Sequence, residues 1–142
     1  MRDADTINVL RAVLDTNVII AAFASRGLCA ELFEVCLVDH TIVISEHILS
    51  EIQEKLLKKI HLPQITVKNI INYLRSIAEI FEPEHVESVC RDKDDHKIIG
   101  TALAGSARFI ITGDSDLLAL KKYKGVRIIN PREYWSLLRK RG

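Results

Sequence analysis

No apolar run in this chain approaches the ~18 residues needed to cross a bilayer, and the only methionine is the first residue. A membrane protein is therefore not expected. The N-terminal stretch MRDADTINVL contains two acids and lacks the apolar core of a signal peptide, so the protein is expected to stay in the cytoplasm. Cysteine is scarce and odd in number: Cys29, Cys36 and Cys90, with no CxxC pair. Cys29 and Cys36 lie seven apart, on one face of a predicted helix, and read as reduced core thiols. A zinc knuckle is disfavoured, because no cysteine or histidine pair has its short spacing. His40, His47, His61, His85 and His96 are scattered and expected at the surface. No repeat, low-complexity tract or Gly/Ser linker divides the 142 residues, and an apolar content of 48% suffices for a core, so a single domain over 1–142 is expected.

What is present alternates. Four short runs rich in β-branched residues have strand length: VLRAVL at 9–14, TIVI at 41–44, RFIIT at 108–112 and VRII at 126–129. Between them LCAELFEVCLVD, SEHILSEIQEKLLKKI, TVKNIINYLRSIAEIF and DDHKIIGTALAGSA space apolar residues three and four apart, as helices do. A last helix is predicted in PREYWSLLRKRG, with Pro131 in its first turn. The segment HLPQIT at 61–66 reads as the turn of a helical hairpin. Strands apolar on both faces, alternating with helices, predict an α/β fold: a parallel sheet covered by helices on both sides, in three layers.

In open α/β sheets ligands bind beyond the carboxyl ends of the strands. Asp15 directly follows the first strand, and Asp114 and Asp116 follow RFIIT across Gly113. Helix capping accounts for Asp114 alone, but it does not explain a second acid two residues on or Asp15 at another strand mouth. In RDKDD at 91–95, helical phase selects Asp95, which falls in the stripe of Ile98, Ile99, Ala102 and Ser106 at about 100° per residue. Asp94 lies off that centre as a possible auxiliary, and Asp92 precedes the helix. On the helix after TIVIS, Glu51 borders the apolar face and Glu54 points away, while Glu46 in the first turn remains open as the alternative.

Carboxylates gathered at one place repel by roughly 4 kcal/mol per pair at 4 Å and an effective dielectric near 20. With no Lys or Arg in the strand-end motifs, an all-oxygen set calls for a hard cation, Mg²⁺ or Mn²⁺. Net charge is +1, from 20 basic and 19 acidic residues; setting five acids aside leaves 14, and a remaining surface of +6. Lys55, Lys58 and Lys59, then Lys121, Lys122 and Lys124, then Arg139, Lys140 and Arg141 form clusters suited to phosphate contacts or to plain solvation.

Four motifs now read together: VLDTNVIIAAF, VISEHILSEI, RDKDDHKIIGTALAG and FIITGDSDLLAL. In that order they resemble the PIN domain family, particularly its short prokaryotic toxins of toxin–antitoxin pairs, over about residues 9–135. The resemblance implies a Mg²⁺- or Mn²⁺-dependent ribonuclease acting on single-stranded RNA, with Asp15, Glu51, Asp95, Asp114 and Asp116 as catalytic and metal-binding residues. It singles out Glu51 over Glu46, and sets Asn17 and Thr112 beside the acids, where they orient ligands or water. A small antitoxin and a homodimer are the partners it implies.

Three other classes compete. An aspartate-based phosphotransfer enzyme also places Asp after its first strand, but a dehalogenase-type site needs an acid where Asn17 stands, and a receiver needs its acidic pair before that Asp. A topoisomerase-primase-like domain has Glu, not Asp, after the first strand. A PIN-like RNA- or protein-binding module without catalysis would retain five acids that cost stability for no return.

Overall fold

Leu10–Leu14 is covered on both faces, with Ala12, Val13 and Leu14 fully buried. A strand of this kind belongs inside a parallel sheet with helices above and below. The computed structural model places it there, and it describes residues 10–87 and 93–141. In chain order the elements are β1 (Leu10–Leu14), α1 (Thr16–Ala24), α2 (Leu28–Asp39), β2 (His40–Ile44), α3 (Glu46–Lys58), α4 (Gln64–Ile77), β3 (Ala78–Ile80), α5 (Lys93–Ala104), β4 (Phe109–Ile111), α6 (Ser115–Leu120), β5 (Lys122–Tyr123), β6 (Val126–Ile129) and α7 (Pro131–Arg141). The α/β fold expected from the alternation is the fold observed.

The strands form one sheet in the order β3-β2-β1-β4-β6-β5, parallel throughout except for the β5–β6 pair. The chain runs outward from β1 to β3 and then returns to β4 on the other side of β1. The strand order therefore reverses between β1 and β4, where Leu14 lies opposite Ile111. Crevices at such reversals are where doubly wound sheets bind ligands. On the helical side α1 packs against α2 and α3, α3 against α4, and α7 against α2, whereas α5 packs on β1, β2 and β4.

Three elements differ from expectation. Thr16–Ala24 is uniformly apolar from Val18 onward and shows no helical stripe in sequence, yet it is a helix begun by the Asp15 cap. The helix expected over 66–81 starts at Gln64 and stops at Ile77, because Ala78–Ile80 pairs with β2 and Glu79 reaches Arg11 at 2.9 Å. A further strand, β5, pairs with β6 across Lys124 (φ 46°) and Gly125 (φ 86°), both left-handed as a two-residue primed hairpin turn requires. The turn at 61–66 joins α3 to α4 as expected, with His61 left-handed and Pro63 capping α4.

Two local devices fix α5, which carries Asp95, and α7. Glu84 N donates to Gly100 O at 3.0 Å, and a Cβ on Gly100 would stand 2.3 Å from Glu84 O, so only glycine lets this segment lie against α5. Asn130 and Glu133 bond each other's backbone reciprocally at the start of α7, with Pro131 in the first turn. Cys36 is buried, and burial pushes its thiol up to about 12, leaving an inert core group. Cys29 is half-buried and free as expected, and Cys90 lies outside the described residues. No helix of the described residues is long and apolar enough to cross a membrane.

Candidate functional site

The site is built on the carboxyl ends of β1 and β4. Asp15 is the N-cap of α1, and its Oδ1 accepts the Thr16 amide at 2.7 Å. Its Oδ2 accepts the hydroxyl of Thr112, fully buried, at 2.6 Å. The same Thr112 oxygen accepts the Asp114 amide at 3.0 Å, so one hydroxyl links the two strand ends. Asp114 in turn caps α6, its Oδ2 accepting the Leu117 amide at 3.1 Å. Both strand-end aspartates therefore do cap helices. Capping and gathering coexist because a carboxylate has two oxygens, and each cap uses one of them.

Asp95, Asp114 and Asp116 bring one oxygen each within 4.8 Å of the others. Asp95 reaches this trio from the first turn of α5 and is 8% exposed, as its helical phase requires. At that spacing repulsion comes to about 3 kcal/mol per pair at an effective dielectric near 20, reduced where exposed Asp116 meets water. Three converging carboxylate oxygens fit a hard divalent cation. Asp15 and Glu51 fall outside this trio; Asp15 joins it through Thr112.

Glu51 sits elsewhere in detail. Its Oε1 accepts the Thr16 hydroxyl at 2.8 Å, which ties α3 to α1 beside Asp15. Its Oε2 faces His47 Nε2 at 3.7 Å, and His47 Nε2 also faces Asp94 Oδ1 at 3.4 Å. His47, expected as a scattered surface residue, is thus drawn into the site region. Its spacing of four from Glu51 on one helix was the signal that would have found it. Glu46, the alternative to Glu51, is turned away into a two-pronged pair with Arg75, whose hydrogen bond lowers the Glu46 carboxyl below its ordinary value. Asn17, two residues after Asp15, accepts from Lys55 Nζ at 3.1 Å and so is tied to α3. Asp92 lies outside the described residues.

Residues 11–116 match the family model described as PIN domain. The chain belongs to the PIN domain family. PIN proteins are nucleases that use divalent metals, in keeping with the acid trio. An uncharacterized protein of Methanocaldococcus jannaschii, MJ1680, is 35% identical over 121 residues, which are 79% of this chain and 76% of that protein. Among solved structures, VapBC2 from Rickettsia felis bound to a promoter DNA fragment superposes with a TM-score of 0.61 at 17% identity, covering 85% of this chain and 98% of that one. VapBC-1 from nontypeable Haemophilus influenzae gives 0.61 at 18% identity, covering 87% and 99%. These structural likenesses establish the fold.

This PIN domain also carries a basic surface along the β5–β6 edge. A groove of about 850 Å³ runs along the β5–β6 edge, where Lys121, Lys122 and Arg127 line it over a floor that includes Leu118 and Ile128. Glu133, its acid, is engaged by the Asn130 backbone. Ile129 and Asn130 also line the groove, and the Ile129 carbonyl accepts the Thr112 amide at 3.0 Å.

Proposed function

We propose that this PIN domain, one domain over residues 1–142, is a Mg²⁺- or Mn²⁺-dependent ribonuclease that hydrolyses phosphodiester bonds in single-stranded RNA. The convergence of Asp95, Asp114 and Asp116 at the β1–β4 crevice, with Asp15 tied in through Thr112, carries this reading. Asp95, Asp114 and Asp116 would hold the cation, with Asp15 and Glu51 completing the site. Bound there, a divalent ion supplies Lewis-acid charge and lowers the pKa of water for in-line attack on phosphorus.

The chain's own groups do the rest. Thr112 holds Asp15 in one orientation, and the caps fix Asp15 and Asp114 to helix ends. Asp116 is exposed, so this acid of the trio is open to solvent. Lys121, Lys122 and Arg127, which line one groove on the β5–β6 edge, offer phosphate contacts that an RNA strand needs.

The likeness to VapBC structures supports a role as the toxin of a toxin–antitoxin pair, acting in the cytoplasm with a small antitoxin and a second copy as partners. The test is cleavage of single-stranded RNA with mapping of the new ends. Cutting that requires Mg²⁺ or Mn²⁺, stops with EDTA and disappears in Asp95→Asn is the expected result. Cutting that persists in EDTA overturns the reading.

A further inference from the structure

His47, Glu51 and Asp94 stand apart from the trio in both geometry and chemistry. The His47 Nε2 atom is shielded from water and has no hydrogen-bond partner among the described residues. It lies 3.7 Å from Glu51 Oε2 and 3.4 Å from Asp94 Oδ1, and the three ligand atoms fall within 4.8 Å of one another. Both distances exceed those of N–H···O hydrogen bonds, which run to about 3.2 Å. They match the edges of a coordination polyhedron instead: donors about 2.0–2.1 Å from a tetrahedral ion are about 3.3 Å apart. Space for an ion and its waters is present, since the three residues line a cleft of about 450 Å³. Lys55, the cation in that cleft, donates to Asn17 Oδ1.

We infer that His47, Glu51 and Asp94 form a second metal site, selective for a borderline divalent ion of the Zn²⁺ or Co²⁺ type. The imidazole nitrogen sets the selectivity. Mg²⁺ gives up water reluctantly and prefers oxygen, whereas imidazole suits the later transition ions. His47 and Glu51 are four apart on α3, so one helix face presents two donors at fixed spacing. The third comes from α5, where consecutive residues divide the work: Asp95 turns inward to the trio, and Asp94, its side chain 60% exposed, turns to α3. Three protein ligands leave positions open to water or a phosphate oxygen, as in catalytic rather than structural zinc sites.

The site shares Glu51 with the proposed nuclease but does not depend on that activity, so its test runs where cleavage is disabled. Asp114→Asn protein is titrated with Co²⁺ and followed by visible absorption and calorimetry, with Zn²⁺ as competitor. One equivalent of Co²⁺, displaced by Zn²⁺ and not by Mg²⁺, is expected. Adding His47→Ala weakens its affinity at least about ten-fold, and Asp94→Asn weakens it as well. Equal Co²⁺ affinity with and without His47 overturns the inference. So does the absence of bound Co²⁺ in Asp114→Asn. The metal-free melting temperature and the His47→Gln variant separate lost ligation from lost folding. Failure of RNA cleavage in the unsubstituted protein, with Co²⁺ still bound through His47, sinks the nuclease reading alone.

Discussion

Two clusters that meet at consecutive residues of α5 are built on different principles. The Asp95, Asp114, Asp116 trio is all oxygen, its deepest member 8% exposed, and it is anchored by helix caps and the buried Thr112 hydroxyl. The His47, Glu51, Asp94 cluster mixes nitrogen and oxygen, keeps its side chains 27%, 25% and 60% exposed, and is held by helix spacing and one Thr16 hydrogen bond. The difference teaches that rigidity and charge density go together here. Like charges are forced close only where backbone amides and a buried hydroxyl fix them, and the looser cluster contains a group that can carry the opposite charge.

The sharpest way to break this comparison is to substitute consecutive acids on α5. Asp95→Asn should lower RNA cleavage by on the order of 10²–10³-fold or more, the scale of losing a main electrostatic group at a reacting centre. It should leave the metal-free melting temperature unchanged or higher, since one repelling charge is gone. Asp94→Asn should keep most of the activity. If Asp94→Asn is the inactive variant, the assignment of the two clusters is reversed.

Metal addition comes next. Mn²⁺ at a hundred times its dissociation constant should stabilise the protein by about 2.7 kcal/mol, read as a rise in melting temperature that EDTA reverses. Asp95→Asn should abolish that rise. A rise of full size in Asp95→Asn places the stabilising ion outside the trio.

Thr112→Val keeps the shape of the side chain but removes the hydroxyl shared by Asp15 and Asp114. A loss of about 1–3 kcal/mol by denaturant titration is expected from the groups it leaves unsatisfied, together with slower cleavage. No change in either quantity would show that Asp15 needs no such support.

The smallest effect belongs to the pair outside both clusters. Arg75 holds the Glu46 carboxyl below its ordinary value of 4.5, so the folded state favours the ionised form. Its contribution is present above about that pH and is lost as pH falls through the lowered value. Glu46→Gln should flatten the acid side of the stability profile slightly, less so at high salt, with cleavage untouched. Loss of cleavage in this variant would return Glu46 to the site.

Much of this was legible along the chain. Four of the six strands announced themselves as short β-branched runs, and the position of Asp15 and Asp114 at strand ends followed directly. Asp95 was separable from Asp94 because helical phase is a local geometric property. What was missed was short or uniform: β3 and β5 are three and two residues long, and α1 is unbroken apolar sequence from Val18 to Ala24. Such segments carry no periodicity, and their state is decided by the strand or cap that meets them.

The amino-acid sequence by itself determined the alternation of strand and helix, the inward face of α5 and the placing of three aspartates at strand ends. Each of these depends on residues within a few positions of one another. Only the tertiary structure decided that Glu46 belongs to Arg75, that Glu51 leans toward His47, and that a single threonine hydroxyl joins Asp15 to Asp114. These choices pair residues tens of positions apart. They exist only once the sheet order brings β4 back beside β1, bringing α5 and α6 to the same crevice.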